Sequence, residues 1–266
     1  MQTPLSNPIA SLRTVTSQWG EDGVIEEIFR RIEPANRYCV EFGAWDGKYL
    51  SNTWNLWHNE GWSALLIEGD GPRCEELRKS VEALGRIQVC HALVSIEGEN
   101  SLDAILARFS VPQDLDLISI DIDGDDYHVF ASLKRFQPRV VIVEHNPTVP
   151  PHLDIVQEPG QYFGASARAQ LNLAHRKGYK LVGCTRTNCF FVRADVFPRL
   201  GMAEPELEQV FPRTDLRFLF TAYDGTPYLD GALTYGPPLE RMPRLNFGRR
   251  KPRPNIKAPE TIVPVL

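Results

Sequence analysis

The sequence predicts an α/β fold built on a doubly wound, mainly parallel sheet that ends in an antiparallel strand. Short apolar runs, typical of buried strands, alternate with segments whose apolar residues recur at helical spacing. This alternation is typical of βαβ crossovers, which join parallel strands. The last two apolar runs, 180–184 and 189–192, have no helical segment between them and therefore indicate a closing hairpin.

The individual elements follow from local patterns. Residues 20–32 carry apolar side chains at helical spacing, and Glu21 and Asp22 favour the amino end of that helix. A proline in the first turn suits the helix that begins at Pro72. The remaining runs predict, in chain order, strand 38–42, helix 50–60, strand 63–67, helix 72–84, strand 87–93, helix 102–109, strand 115–120, helix 126–136, strand 140–143 and helix 165–177.

Three segments are expected along the chain. Residues 1–16 form a lead-in and residues 17–199 form the α/β domain. Residues 200–266 form an appendage that packs on this domain, because the strand and helix pattern gives way to prolines and glycines beyond Phe197. With 266 residues the chain is long enough to bury a full hydrophobic core.

Composition narrows the class of protein. A net charge near −5 argues against a nucleic-acid or membrane-surface partner, and the basic residues 249–253 in the proline-rich tail are typical of a solvated linker. No apolar run approaches the roughly 18 residues of a membrane span. Five cysteines without CxxC spacing suggest neither a zinc site nor a disulfide framework. We therefore expect a reduced, cytoplasmic protein.

The most informative motif is the stretch CVEFGAWDG, in which the first strand ends in Glu41 and breaks into a turn containing Gly43 and Asp46. Glycine lets the backbone pass close under a ligand. The second strand ends in another acid, Glu68. A glycine turn followed by an acid at the next strand end is typical of a nucleoside cofactor site, in which the second carboxylate takes both ribose hydroxyls.

Further polar residues end the other predicted strands. In an open parallel sheet, ligands bind beyond the carboxyl ends of the strands. The third strand offers Ala92 at this edge, the fourth offers Asp121 and Asp123, and the fifth offers Glu144 followed by His145. Buried carboxylates are costly without partners, so acids at four strand ends indicate a functional edge rather than fold maintenance.

The strand ends VEFGAWDG, LLIEGD, DLISIDIDGDDY and VVIVEHNP resemble those of the FkbM-type branch of class I S-adenosylmethionine-dependent methyltransferases, over roughly residues 17–195. The resemblance implies a Rossmann-like sheet and S-adenosylmethionine as cofactor. It implies that Glu41 and Gly43 line the methionine part, that Glu68 holds the ribose and that Ala92 faces the adenine. We count Asp46 and Asp121 among the cofactor-binding residues as well.

The element DGDDY also resembles the DGDxY element of metal-dependent sugar O-methyltransferases. By that resemblance Asp121, Asp123 and Glu144 would bind a divalent cation, Mg²⁺ first, since hard cations prefer oxygen ligands. The alternative is that the carboxylates hold cofactor and substrate by hydrogen bonds without a metal. Asp123 and His145 are the predicted catalytic residues, because either can accept the proton of a substrate hydroxyl.

The sequence thus predicts an O-methyltransferase whose acceptor is a sugar, another hydroxylated metabolite or a glycan. We expect the loop 147–164, with residues 17–22, to form the acceptor side. One alternative is a nucleotide-sugar glycosyltransferase, whose DxD motif would be Asp121-Ile122-Asp123. Another is a non-catalytic cofactor-binding protein of the same fold. Convergence of Asp121, Asp123 and His145 on an open pocket would favour an enzyme.

Overall fold

The computed structural model describes residues 7–216, 219–221, 223 and 227–229. Contacts divide the chain into two compact units, residues 1–216 and residues 217–266. In the second unit the strands Leu219–Thr221 and Pro227–Leu229 pair antiparallel. Residues 201–216 of the predicted appendage cluster with the first unit. Most of the remaining appendage lies outside the described residues, and its expected packing on the domain stays a prediction.

The first unit contains one seven-stranded sheet flanked by helices. The strands are β1 Tyr38–Phe42, β2 Ser63–Glu68, β3 Ile87–His91, β4 Leu117–Ile120, β5 Val140–Glu144, β6 Tyr179–Cys184 and β7 Asn188–Arg193. The helices are α1 Glu21–Ile32, α2 Gly71–Val81, α3 Leu102–Arg108, α4 Asp126–Ser132, α5 Ala167–Arg176 and α6 Leu207–Val210. Short 3₁₀ helices lie at Pro8–Ser11 and Phe197–Leu200.

The strand order is β3-β2-β1-β4-β5-β7-β6, and β7 runs antiparallel to both of its neighbours while the other pairs are parallel. This arrangement confirms the predicted fold class, including the closing hairpin. The order reverses between β1 and β4, and such a switch point opens a crevice at the carboxyl edge of a sheet. Within the described ranges, no helix has the length and apolar character needed to cross a membrane.

The strand register aligns the ends of the strands. The register pairs at this edge are Phe42 with Ile67, Glu41 with Ser119, and Ile120 with Val143. Gly43, Glu68, Asp121 and Glu144 therefore lie in one row across the sheet and, because side chains alternate, on the same face. Gly43 contributes no side chain to this row, so a gap separates Glu68 from the two acids beyond it.

One predicted helix is much shorter than expected. Where the pattern predicts a helix over 50–60, the structure has a single π-helical turn, Asn55–Asn59. Residues 51–53 are not helical. Their backbone and hydroxyl groups instead bind the carboxylate of Glu41. The helix predicted over 126–136 is shorter than expected and ends at Ser132, since Leu133 has an extended backbone.

A buried ion pair anchors the opposite, amino-terminal edge of the sheet. The carboxylate of Asp116, which is fully buried, accepts hydrogen bonds from the backbone amides of Ala35, Asn36 and Arg37. Arg139 donates to the same carboxylate at 2.6 Å and is 5% exposed. Both oxygens of this acid are thus satisfied, which is the condition under which a buried charge is tolerated.

Candidate functional site

The turn after β1 lies directly against the end of β4. Gly43 has a φ of +60°, a backbone conformation that glycine adopts without a steric penalty. A Cβ atom at this position would lie 2.6 Å from the main-chain oxygen of Asp121. The glycine predicted from the motif is therefore required by the close approach of two strand ends.

We expect Gly43→Ala to lower the free energy of unfolding by about 2–4 kcal/mol, because left-handed strain and overpacking add. Gly98→Ala is the matched control, since Gly98 has a φ of +79° and an added Cβ would meet nothing within 4 Å. In that control the strain alone should lower the free energy of unfolding, by about 1–2 kcal/mol. Urea denaturation measures both variants. Equal losses of unfolding free energy in the two variants would show that the main chain at Asp121 moves away from the added methyl group.

Glu68 connects the turns that follow β1 and β2. Its buried carboxylate accepts a hydrogen bond from the amide of Trp45 at 2.7 Å and another from the amide of Asp70 at 2.8 Å. Asp70 in turn caps α2 by accepting from the amide of Arg73 at 3.0 Å. A carboxylate has about four acceptor sites, so these two hydrogen bonds leave about two sites on Glu68 for a ligand.

Glu41 is placed differently from its predicted role. Its carboxylate is 4% exposed and accepts from the hydroxyls of Ser51 (2.6 Å) and Thr53 (2.7 Å) and from the backbone amide of Asn52 (2.7 Å). Burial raises its pKa, which these bonds partly oppose. The side chain of Asn52 also donates to the hydroxyl of Ser119 at 3.1 Å. Glu41 thus fixes the segment 51–53 against β1 and β4 and is enclosed by that segment instead of facing a cofactor.

Two other predicted cofactor residues form hydrogen bonds with backbone groups of the neighbouring turns. Asp46 is exposed and accepts from the amides of Lys48 and Tyr49, so it shapes the turn. Ala92 is buried, and its amide donates to the main-chain oxygen of Glu68 at 3.1 Å. The exposed side chain of Leu93 follows directly. The end of β3 therefore offers apolar surface suited to a flat base.

Three acids converge beside the Gly43 turn, as the sequence predicts. Carboxylate oxygens of Asp121, Asp123 and Glu144 lie within 4.8 Å of one another. Burial and the neighbouring carboxylates raise the pKa values of Asp121 and Glu144 well above the ordinary range. A shared proton or a cation would relieve this repulsion. The arrangement is a polar, acidic site at the switch point of the sheet.

Asp126 holds the turn that carries two of these acids. Its carboxylate, 1% exposed, accepts from the amides of Ile122 (2.8 Å) and Gly124 (3.0 Å). Burial raises its pKa to about 6. Asp123, between these two amides, has a φ of +59°, a strained conformation of the kind that clusters at functional sites. This backbone conformation ends the extended strand and places the carboxylate of Asp123 near those of Asp121 and Glu144.

His145 does not reach the acidic cluster, and its predicted role as a base does not agree with its placement. It follows Glu144 directly, so its side chain points to the opposite face of the sheet. The ring is 2% exposed and packs against Phe211. Burial lowers its pKa to about 4. A histidine so enclosed has no path to an acceptor hydroxyl at the other face.

The loop 147–164 is tied to the turn after β4. The amide of Gly160 donates to Asp125 at 2.9 Å, and the side chain of Gln157 donates to the main-chain oxygen of Gly124. These bonds bring Tyr162 beside Asp123. Burial, together with the charge of Asp123 and a hydrogen bond to it, raises the pKa of the phenol. Tyr162 is a candidate site residue that strand-end reasoning misses, because only the loop's fold brings it there.

The residues predicted on the acceptor side hold the surrounding backbone. The Asn146 side chain donates to the main-chain oxygen of Phe163 at 2.8 Å, which fastens the far end of the loop. Asp22 accepts from the amides of residues 15–17 and fixes that segment. Ser17 forms an isolated parallel bridge with Leu50. Gln18, between these points, is exposed.

Comparison with known proteins gives one family. Residues 95–180 match the family described as "Methyltransferase FkbM domain", which confirms the predicted resemblance over that segment. No curated protein matches the chain.

Several solved structures have a similar fold at low sequence identity. One is the citrinin polyketide synthase CMeT domain, with 13% identity over 65% of this chain and 51% of that chain and a TM-score of 0.44. The N-terminal domain of EvdMO1 in the presence of SAH and D-fucose has 11% identity over 65% and 80%, with a score of 0.42. A SAM dependent methyltransferase from Aquifex aeolicus has 12% identity over 63% and 87%, with a score of 0.38. This chain spans about half the length of the first of these proteins.

Proposed function

We propose that this chain transfers a methyl group from S-adenosylmethionine to an oxygen of a small hydroxylated acceptor. The proposal is supported by the match to an FkbM methyltransferase domain over residues 95–180 and by the class I methyltransferase-like sheet. The observation that carries the proposal is the convergence of Asp121, Asp123 and Glu144 beside the Gly43 turn. A donor lying over the glycine would bring its sulfonium next to a group of acids able to position a hydroxyl.

The cofactor would lie across the switch point of the sheet. Glu68 would accept hydrogen bonds from the two ribose hydroxyls with the oxygens that already orient the turns at Trp45 and Asp70. The apolar surface at Leu93 would contact the adenine. The gap above Gly43 leaves room for the methionine portion, close to the main chain of Asp121.

On the acceptor side, a hydroxyl is a poor nucleophile at neutral pH and needs a base, a cation or both. In the reaction the acceptor oxygen would bond to the methyl carbon as the carbon–sulfur bond breaks, and S-adenosylhomocysteine would leave. Asp123 is the base we propose for the released proton, because it is the most exposed of the three acids. Tyr162 would hold Asp123 in place.

The same three carboxylates fit a divalent cation. Hard cations such as Mg²⁺ take carboxylate oxygens as ligands. Neutralising the charge would offset the burial and the repulsion between carboxylates that raise the pKa values of Asp121 and Glu144. A bound cation would supply Lewis acidity and a template for the acceptor oxygens. We therefore propose Asp121, Asp123 and Glu144 as its ligands. The alternative, which chelation tests, is the metal-free arrangement in which Asp123 acts as the base.

Calorimetry with S-adenosylhomocysteine, NAD and UDP-sugars, each with and without Mg²⁺, tests the proposal. We expect the first ligand to bind, and Glu68→Ala to weaken its binding about ten- to a hundredfold through lost charge-assisted hydrogen bonds. Asp70→Asn is the control, because it removes a neighbouring charge and keeps a capping oxygen. Binding of a UDP-sugar in place of S-adenosylhomocysteine would support a glycosyltransferase instead.

Loss of binding in Glu68→Ala could also follow from collapse of the turns at Trp45 and Asp70. A thermodynamic cycle with the 2′-deoxy analogue of S-adenosylhomocysteine separates the two causes. If Glu68 binds the ribose, the wild-type protein should prefer the hydroxylated ligand and the variant should not discriminate. An unchanged preference in the variant would rule out the ribose contact. Binding without transfer to any hydroxylated acceptor would favour a non-catalytic protein.

A further inference from the structure

A second cluster of metal-ligand side chains lies on the other face of the sheet. One ligand atom from each of His145, Cys184 and Cys189 lies within 4.8 Å of the other two. All three residues are at most 2% exposed. The cluster is separate from the acidic site, because Glu144 and His145 are adjacent at one strand end and point to opposite faces.

The cluster depends on an irregularity in the closing hairpin. The pairing of β6 with β7 shifts between Leu181 and Gly183, which is a β-bulge. The additional residue brings Cys184 directly opposite Cys189, with 3.5 Å between the two sulfur atoms. A regular ladder would place Cys184 one residue out of register and on the other face. Both thiols therefore face His145 at the end of β5.

The imidazole of His145 lacks the partners that a buried polar group requires. Neither ring nitrogen has a hydrogen-bond partner among the described residues, and both atoms are buried. An unsatisfied buried polar group costs about 1–3 kcal/mol, so each such group calls for an explanation. A neutral imidazole without a partner and beside two thiols is a soft donor set of nitrogen and sulfur.

We propose that His145, Cys184 and Cys189 form a structural zinc site that joins the end of β5 to the closing hairpin. Zn²⁺ is bound by histidine nitrogen and cysteine sulfur at distances of about 2.0–2.3 Å. Binding would release one proton from each thiol, so that two thiolates and a neutral imidazole surround the dication. The resulting site has no net charge, which is the least costly state for an interior shielded from water.

The surroundings of the cluster suit a closed, structural site. Phe211 covers the imidazole, with 5.4 Å between the two ring centroids. Zinc usually has a fourth ligand. Backbone groups of Asn146 and Thr185 lie near the ring without reaching hydrogen-bond geometry, and a main-chain oxygen there could supply that ligand. No substrate would reach a cation enclosed in this way, so its expected effect is on stability rather than on methyl transfer.

Cobalt substitution tests the proposal on the full chain. The protein is reduced, stripped with a chelator and titrated with Co²⁺, and the thiolate-to-cobalt charge-transfer band is recorded. We expect one equivalent of Co²⁺ to produce the band and Zn²⁺ to abolish it by displacement. Cys189→Ser should lose the band. Two controls should keep it: Cys39→Ser, a buried thiol outside the cluster, and Asp121→Asn, which alters the acidic site.

The experiment has one supporting outcome and two that contradict the zinc site. A band in the wild-type protein that Cys189→Ser lacks and both controls retain supports the site. A folded, reduced wild-type protein that shows no band overturns it. Equal loss of the band in Cys39→Ser and Cys189→Ser would also overturn it. Because the first measurement uses wild-type protein, the proposal stays testable even if a variant fails to fold.

Discussion

Asp121→Asn is expected to lower the rate of methyl transfer by about 10²–10⁴-fold while leaving the free energy of unfolding of the chelated protein unchanged or raising it by about 1 kcal/mol. Asparagine has nearly the shape of the protonated acid. The substitution removes a carboxyl group whose pKa is raised by burial and by the neighbouring acids Asp126 and Asp123. Because the carboxylates of this site repel one another, the folded protein should gain stability when one of them loses its charge.

The matched control is Asp125→Asn, which removes a charge from the same turn. Asp125 accepts from the amide of Gly160, a bond that asparagine keeps, and we expect activity within a few-fold of the wild-type rate. Exhaustive chelation, followed by readdition of Mg²⁺, Mn²⁺ or Ca²⁺, completes the experiment. Full activity after chelation would rule out the cation and leave Asp123 as the base. Full activity of Asp121→Asn would contradict the proposed site itself.

Asp116→Ala is expected to reduce the free energy of unfolding by about 3–5 kcal/mol. The substitution would leave the guanidinium of Arg139 buried without its acid and would remove the acceptor for the amides of residues 35–37. Denaturation by urea, followed by tryptophan fluorescence, should show a lower midpoint with an unchanged slope.

The control for this effect is the exposed ion pair of the same type between Arg193 and Asp195. Its distance is 2.7 Å, and the aspartate side chain is 63% exposed. Solvent screening should limit the loss in Asp195→Ala to about 0–1 kcal/mol. Similar losses in the two variants would mean that Asp116 is not the anchor of the amino-terminal edge of the sheet.

The sheet and the row of residues at its carboxyl edge follow from the sequence alone. Apolar runs of strand length and helical segments between them leave a parallel sheet as the way to bury both kinds of element. Once the strands are parallel and in register, Gly43, Glu68, Asp121 and Glu144 must meet at one edge. The acidic cluster was therefore predictable from the positions of its residues relative to the strand ends.

Most contacts of these side chains depend on how distant parts of the chain fold together. Glu41 has the same sequence signal as Glu68, yet the hydroxyls of Ser51 and Thr53 enclose it, because the segment after the Gly43 turn folds back over β1. His145 follows an acid of the site, yet strand alternation turns it to the opposite core. The contacts of Glu41 depend on a loop path that local periodicity does not encode, whereas the direction of His145 follows from strand alternation once β5 is known to end at Glu144.

The closing hairpin shows most clearly which features follow from the local sequence and which depend on tertiary packing. Its existence follows from two apolar runs with no helix between them, which is a local property of the sequence. The bulge that sets Cys184 opposite Cys189 does not, because a shift of one residue in a ladder is chosen by packing on both faces of the sheet. The loop that brings Tyr162 to Asp123 is decided in the same way, by hydrogen bonds at Gly124 and Gly160 between segments far apart in the chain.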